Sequence, residues 1–218
     1  MSIAPVVFVV DDDAAVRDSL RALLEVAGYA VEPYSGAEAF LSAYDPQRPG
    51  CLLLDLQMPG MGGLELQSVF TERRVRLPII FLTGYGTVST AVRSLNRGAF
   101  DFLEKPVEGD ALLARVAEAL RIDAERRRDG AVRDAAQARC AALTPREREM
   151  LPLVAAGHSS KEIARRFGIS HRTVELHRTR IMHKTGAGTV IELAAMAQAC
   201  GLTDTPQLGE AVRRTETR

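Results

Sequence analysis

Hydrophobic positions in residues 1–120 alternate between short continuous runs and helical spacing. Residues 5–10 form an unbroken run rich in valine, which is typical of a strand buried on both faces of a sheet. Apolar side chains then recur at helical spacing from Val16 to Ala27, and Gly28 is expected to end that helix. The same alternation continues and predicts further strands at residues 29–34, 51–55, 77–83 and 99–103. It also predicts helices from residue 35 to about 44, near residues 63–73 and 87–97, and from residue 108 past 120.

Five such strand–helix units predict an α/β fold for residues 1–120. We expect a doubly wound, five-stranded parallel sheet of the flavodoxin-like order 2-1-3-4-5, with helices on both faces and right-handed connections. The second helix is expected to begin with a capping box, because Ser35 is followed three residues later by Glu38.

The remaining residues have a different pattern. Residues 121–142 are charged and alanine-rich, with too few apolar positions for a core, and predict a partly helical linker broken at Asp129-Gly130. Residues 143–201 are purely helical in pattern and predict a small all-α domain, followed by a polar tail at 202–218. Capping boxes are expected at Thr144 and Ser159, and a kink at Pro152. The later helices are predicted at residues 161–167, 171–184 and about 190–200.

Charge separates the same two regions. The whole chain is formally neutral, but residues 1–120 carry 10 basic and 16 acidic side chains, whereas residues 121–218 carry 18 basic and 12 acidic ones. This asymmetry predicts two modules with different partners, one of them polyanionic. No apolar run is long enough to span a membrane, and the first residues do not have the basic start and long apolar stretch expected of a secretory signal. Three scattered cysteines predict reduced thiols and a cytoplasmic protein.

Polar residues that suit phosphoryl chemistry follow the predicted strands. Asp11 and Asp12 come after the first strand and Asp55 ends the third, so the order 2-1-3-4-5 brings these carboxylates together. Such a cluster favours Mg²⁺, and one carboxylate could then act as a nucleophile and form an aspartyl phosphate. Thr83 after the fourth strand and Lys105 after the fifth could contact that phosphate.

Plainer roles exist for each of these residues taken alone. A single Asp at a strand end is commonly a turn residue, and Asp13 is expected to be the N-cap of the first helix. Thr83 could simply end its strand, and Lys105 could be a solvated surface lysine, although the chain has only three lysines against 25 arginines. The convergence of all these positions on one edge favours the chemical role.

Four separated motifs in this region resemble the receiver domain of two-component response regulators. They are Val9 to Asp13, Leu54 to Gly60, Thr83-Gly84 and Lys105-Pro106. The resemblance implies that Asp55 accepts a phosphoryl group from a histidine kinase. It also implies that Mg²⁺ is held by Asp11, Asp12, Asp55 and the main-chain carbonyl of Gln57. Thr83 and Phe102 match the switch pair of this family, and the Lys105–Pro106 bond is expected to be cis. Gly62 departs from the family pattern, which usually has an acidic or amide residue there.

The basic half contains a pattern typical of a helix-turn-helix, with the turn at Gly168. Three segments resemble the LuxR-type DNA-binding domain: Leu143 to Glu149, Gly157 to Ala164 and Ser170 to Arg178. Together, the two resemblances identify the chain as a member of the NarL/FixJ family, most like its FixJ branch. They imply that residues 171–184 form the recognition helix. Glu175, Leu176 and Thr179 would then face bases, and the polar face of this helix, which includes Arg172, would enter a groove of the DNA. The side chains expected at the DNA backbone are Lys161, Thr173, His177, Arg178, Arg180 and Lys184.

The sequence therefore predicts a transcription regulator that is not an enzyme. Phosphorylation of Asp55 would switch double-stranded DNA binding, by releasing the second domain or by forming a receiver homodimer. Two other functions remain open at this point. A phosphatase-like enzyme could use the same nucleophile, although it would need a second acid where Gln57 stands. A protein-interaction module without DNA binding is the other.

Overall fold

A computed structural model describes residues 4–84 and 99–202 of the chain. The chain divides into two compact units, Met1–Arg127 and Arg128–Arg218. The strands of the first unit are β1 (Val6–Val10), β2 (Ala30–Tyr34), β3 (Gly50–Asp55), β4 (Ile79–Thr83) and β5 (Asp101–Glu104). Its helices are α1 (Ala14–Val26), α2 (Ala37–Ala43), α3 (Gly63–Glu72) and the first part of α4 (Gly109–Ala141). The helix predicted at residues 87–97 lies outside the described residues.

All five strands are parallel and lie in the order β2-β1-β3-β4-β5, which confirms the predicted sheet. Strands β1, β3 and β4 are buried along their whole length because apolar side chains cover both faces. Phe8, Leu54 and Phe81 belong to the core on one face, and Val9, Leu53 and Leu82 to the core on the other. The strands therefore end at one shared edge, where residues 11, 55, 83 and 105 follow or terminate them.

Helix α4 passes without interruption through Asp129 and Gly130, so the predicted break was wrong. A single glycine costs a helix only about 1 kcal/mol, and ion pairs such as Arg121–Glu125 support the neighbouring turns. The part of α4 within the first unit is held by the buried carboxylate of Asp123. It accepts hydrogen bonds from the Gly50 N–H at 3.0 Å and from Arg127 at 2.7 Å. The Arg127 guanidinium also donates to the carbonyl oxygens of residues 46, 47 and 48.

The second unit contains the rest of α4 and four shorter helices. They are α5 (Pro145–Ala155), α6 (Ser160–Phe167), α7 (His171–Thr185) and α8 (Val190–Ala199). The predicted capping boxes at Thr144 and Ser159 are both present. Helix α5 continues across Pro152 to Ala155. One core joins residues from α4 to those of the shorter helices, including Ala136, Leu151, Val174 and Leu193.

The expectation of three reduced thiols was wrong for two of them. Cys140 near the end of α4 and Cys200 after α8 form a disulfide, and Cys51 on β3 is an unpaired buried thiol. The two partners are 60 residues apart in sequence, so no local spacing signals their proximity. Among the helices described, none is long and apolar enough to span a membrane.

Candidate functional site

A pocket at the carboxyl edge of the sheet brings together three polar side chains from separate strands. Asp11 follows β1, Asp55 ends β3, and Lys105 follows β5. The Lys105 ammonium donates to Asp11 Oδ2 at 2.6 Å and to Asp55 Oδ2 at 2.9 Å. Both carboxyl residues are buried, whereas Asp12 is exposed. The peptide bond after Lys105 is cis, as the receiver resemblance predicts.

The charges in this pocket are not balanced. One ammonium group faces the two buried carboxylates, and the carboxylate of Asp12 lies close by. Burial opposes the charge on Lys105, but hydrogen bonds and Coulomb attraction from Asp11 and Asp55 outweigh it, and the pKa of Lys105 is raised. One oxygen from each of Asp11, Asp12 and Asp55 lies within 4.8 Å of the others. A hard divalent cation with oxygen ligands fits this set, because it would offset the surplus negative charge.

The two switch positions lie on neighbouring strands. Thr83 is buried at the end of β4, next to Glu104 of β5 in the strand register. Its carbonyl oxygen accepts a hydrogen bond from the Lys105 N–H at 2.7 Å. Phe102 of β5 pairs in register with Phe81, and it is 38% exposed. Of the two switch residues, Phe102 is thus more accessible to solvent than Thr83.

The loop between β3 and α3 is held close to Asp55. Its Gln57 N–H donates to Asp55 Oδ1 at 3.2 Å. Gly63 begins α3 so near this strand that an added Cβ would lie 2.4 Å from the Asp55 carbonyl oxygen, and only glycine fits there. On the other flank, the Arg17 guanidinium donates to the Asp11 carbonyl oxygen at 2.7 Å.

Glu38 has a role in this loop that the sequence did not indicate. The capping box predicted for Ser35 and Glu38 was wrong, because α2 has Gly36 as its N-cap and no side-chain cap. Instead, Glu38 Oε1 accepts a hydrogen bond from the Met61 N–H at 2.9 Å. The Gly62 N–H, in turn, donates to Glu65 Oε2 at 3.0 Å. These two carboxylates support the loop at the place where Gly62 departs from the family pattern.

The second unit presents helices α6 and α7 joined by a tight turn. Gly168 adopts the left-handed conformation, with φ of 64°, and Ser170 caps α7 by accepting from the Thr173 N–H at 3.1 Å. Val174 and Ile181 of α7 are buried, which leaves the opposite side of the helix at the surface. On that side Leu176 is 49% exposed.

The candidate DNA-contacting residues differ in whether their side chains already bond within the protein. Lys161, Arg172 and Arg180 are exposed at the surface of α6 and α7. Thr179 is also exposed, but its hydroxyl donates to the Glu175 carbonyl oxygen at 3.0 Å. The side chains of three further candidates bond within the protein as well. Arg178 donates to the His158 carbonyl oxygen at 3.0 Å, Glu175 accepts from the Ser160 hydroxyl, and Lys184 pairs with Glu147 at 2.7 Å. The Nδ1 atom of His177 is buried and has no hydrogen-bond partner in the described structure.

The Glu147–Lys184 pair was missed by the sequence reasoning. Glu147 is only 2% exposed, and its carboxylate also accepts from the Thr144 N–H at 2.9 Å as part of the capping box. Burial would raise the pKa of Glu147, but the hydrogen bonds from Lys184 and Thr144 prevail and the pKa is lowered. The pair joins α5 to α7 and so helps to set the position of the surface helix.

Comparisons with known proteins agree with this two-part architecture. Residues 7–117 match the response regulator receiver domain family, and residues 141–197 match the luxR family of bacterial regulatory proteins. The transcriptional regulatory protein FixJ of Bradyrhizobium diazoefficiens is 41% identical over 196 residues, which cover 90% of this chain and 96% of FixJ. TdiR of Thauera aromatica is 44% identical over 183 residues, which cover 84% of this chain and 81% of TdiR.

Solved structures give the same result. The response regulator StyR has a TM-score of 0.82 and 40% identity, and the match covers 89% of this chain and 98% of StyR. Full-length FixJ from B. japonicum has a TM-score of 0.56 and 40% identity, with 93% and 100% of the two chains covered. The chain therefore belongs to the NarL/FixJ family of two-component response regulators, which are transcriptional regulators and not enzymes.

Proposed function

We propose that this regulator is switched by transfer of a phosphoryl group from a sensor histidine kinase to Asp55. The observation that carries the proposal is the meeting of Asp11, Asp55 and Lys105 from three strand ends, with Lys105 bonded to both carboxylates. A carboxylate oxygen of Asp55 attacks phosphorus, the bond from phosphorus to the kinase histidine breaks, and an acyl phosphate forms. Lys105 then pairs with the phosphoryl oxygens as a compact positive charge.

Asp11, Asp12 and Asp55, with the main-chain carbonyl of Gln57, are the proposed ligands of Mg²⁺. When bound, Mg²⁺ would neutralise part of the charge on the phosphoryl oxygens. The closeness of the three carboxylates supports this assignment. The Gln57 N–H bond to Asp55 and the Glu38 bond to Met61 orient the loop that carries the Gln57 carbonyl.

The switch is proposed to pass through Thr83 and Phe102. The Thr83 hydroxyl donates a hydrogen bond to the phosphoryl group, and the exposed ring of Phe102 turns inward to fill the space that Thr83 vacates. The changed surface then favours a receiver homodimer, which brings two DNA-binding domains to half-sites about 34–36 Å apart.

The second unit is proposed to bind double-stranded DNA through α7. Glu175, Leu176 and Thr179 face base edges, and the exposed cations Lys161, Arg172 and Arg180 contact phosphates. Thr173, His177, Arg178 and Lys184 line the same helix at the backbone side. Lys184 can reach a phosphate only by leaving Glu147, so its main contribution is to hold α7 in place. The proposed site of action is the cytoplasm.

Phosphorylation of Asp55 can be tested with a small acyl phosphate and Mg²⁺. Intact-protein mass spectrometry of the wild-type chain should detect one labile phosphoryl group, which Asp55→Asn abolishes. Asp45→Asn is a matched control, because Asp45 is a surface carboxylate away from the pocket, and it should label normally. Labelling that persists in Asp55→Asn would refute the proposed acceptor.

DNA binding is tested separately with the phosphorylated and the unphosphorylated protein. Genomic fragments captured by the phosphorylated chain should bind more weakly to the unphosphorylated chain, and Arg172→Ala should weaken binding in both. Equal affinity with and without phosphate would refute the switch. Normal phosphorylation without binding to any genomic fragment would instead favour a protein-interaction module.

A further inference from the structure

The disulfide between Cys140 and Cys200 joins the two ends of the helical second unit. Cys140 lies one residue before the end of α4, and Cys200 is the C-cap of α8. Their Cα atoms are 6.8 Å apart, within the range that a disulfide bridges. The bond therefore closes a loop that contains α5 to α8 and fastens α4 to it.

The surroundings show that packing brings the two sulfur atoms together. Cys140 is only 4% exposed and belongs to the core that includes Ala136, Leu143 and Met196. Cys200 packs against the same core but remains partly accessible. An external thiol or disulfide therefore has better access to the pair at Cys200, because Cys140 is almost completely buried.

The third cysteine differs from these two. Cys51 is fully buried in β3, and burial raises the pKa of its thiol to about 12. The reactive form of a cysteine is the thiolate, so Cys51 is inert near neutral pH. Any reversible thiol chemistry of the folded chain is thus confined to Cys140 and Cys200.

We propose that Cys140 and Cys200 form a reversible redox pair that attaches residues 128–141 to the DNA-binding helices. Oxidation uses a low-molecular-weight disulfide of the glutathione type. The Cys200 thiolate attacks one of its sulfur atoms and releases one glutathione thiolate, which gives a mixed disulfide. The Cys140 thiolate then attacks the Cys200 sulfur and releases the second glutathione. The two protein thiols lose two protons and two electrons, and one glutathione disulfide becomes two thiols.

The oxidised and reduced forms should differ in the stability of the second unit. A disulfide that closes a 60-residue loop restricts the unfolded chain, so the oxidised form should melt about 10 °C or more above the reduced form. Reduction should also loosen the end of α4. Arg133 and Arg139 lie in this segment and offer trypsin two cleavage sites.

The experiment uses the full chain with Cys51→Ala, which removes the third thiol and leaves the pair intact. The protein is equilibrated in glutathione buffers of increasing oxidised fraction, alkylated and analysed by mass spectrometry. Thermal melting and trypsin cleavage after Arg133 and Arg139 are followed in parallel. We expect both remaining thiols to disappear together, and cleavage to slow at least severalfold as they do.

The single variants Cys140→Ala and Cys200→Ala separate the redox effect from lost packing. Whatever their absolute stability, melting and cleavage should no longer depend on the buffer. The proposal is overturned if both thiols stay alkylatable in every buffer, or if oxidation leaves stability and cleavage unchanged. A redox response that persists in either single variant, or a disulfide that joins two chains, would overturn it as well.

Discussion

Each unit of this regulator places a lysine against a buried carboxylate, but the two sites are built differently. Lys105 faces Asp11 and Asp55, with Asp12 close by, so negative charge exceeds positive charge in that pocket. Lys184 pairs with the single carboxylate of Glu147, and the Thr144 N–H donates to the same carboxylate oxygen. Surplus buried charge needs a further cation, whereas the balanced pair is complete by itself. The first arrangement suits a reaction site and the second suits a structural joint.

The largest effect is expected when the balanced pair is broken. Lys184→Ala leaves the Glu147 carboxylate buried without its cation. It should lower the free energy of unfolding of the second unit by about 2–3 kcal/mol, less than a fully buried pair because Lys184 is partly exposed. Urea unfolding measures this loss. Lys161→Ala removes an exposed lysine of the same domain and should change stability by less than about 0.5 kcal/mol.

Acid should weaken the same pair by protonating Glu147. The pKa of Glu147 is lowered in the folded protein, so the pair stabilises the fold above the ordinary carboxyl value of about 4.5. That stability is lost as the pH falls through the lower pKa of the folded state. Urea midpoints of the second unit between pH 7 and pH 3 should therefore drop more steeply for the wild type than for Glu147→Gln. Glu149→Gln, at an exposed neighbour, should retain the wild-type slope.

The unbalanced pocket should respond to Mg²⁺ where the balanced pair does not. Without Mg²⁺, Lys105→Ala should destabilise the first unit by about 1–2 kcal/mol, because two buried carboxylates then face each other. Millimolar Mg²⁺ should restore most of this stability, as a thermal melt would record. The stability lost in Lys184→Ala should not return. If Mg²⁺ leaves Lys105→Ala unchanged, the difference between the two sites is not one of charge balance.

The smallest effect is expected at the loop beside the pocket. Glu38→Ala removes the acceptor of the Met61 N–H, a hydrogen bond that contributes about 1 kcal/mol to the order of the loop. It should weaken Mg²⁺ binding about fivefold. Glu38→Gln keeps an acceptor oxygen and should behave like the wild type. Titration with Mg²⁺ measures the affinity without any phosphoryl donor. Equal loss in both variants would mean that the charge of Glu38 matters and not its hydrogen bond.

The sequence predicts features that depend on neighbouring residues better than those that depend on distant ones. Alternating apolar runs gave the strands, and strand ends pointed to Asp11, Asp55 and Lys105, because parallel strands share one edge. The same capping-box pattern was right at Thr144 and wrong at Ser35. At the second position a tertiary partner, the Met61 N–H, takes the Glu38 carboxylate that the local cap would use.

Pairs of side chains far apart in sequence could not be predicted this way. The partners of Glu147 and Cys140 lie 37 and 60 residues further along the chain, and no periodicity links them. They became visible only when the packing of the helices was known. The predicted linker shows the same limit. Its apolar positions are too sparse for a core of its own, but Ala136 and Cys140 complete the core of the second unit.

The buried Asp123 side chain determines which side of α4 faces the rest of the first unit. Its carboxylate fits between the Gly50 N–H and Arg127, which is itself bound to three carbonyl oxygens of the preceding loop. Deleting a single residue from α4 before this point would turn the rest of the helix by about 100° and leave an uncompensated charge inside the protein. The first part of α4, up to Asp123, therefore does not tolerate insertions or deletions. Its solvent-facing side chains, in contrast, can vary.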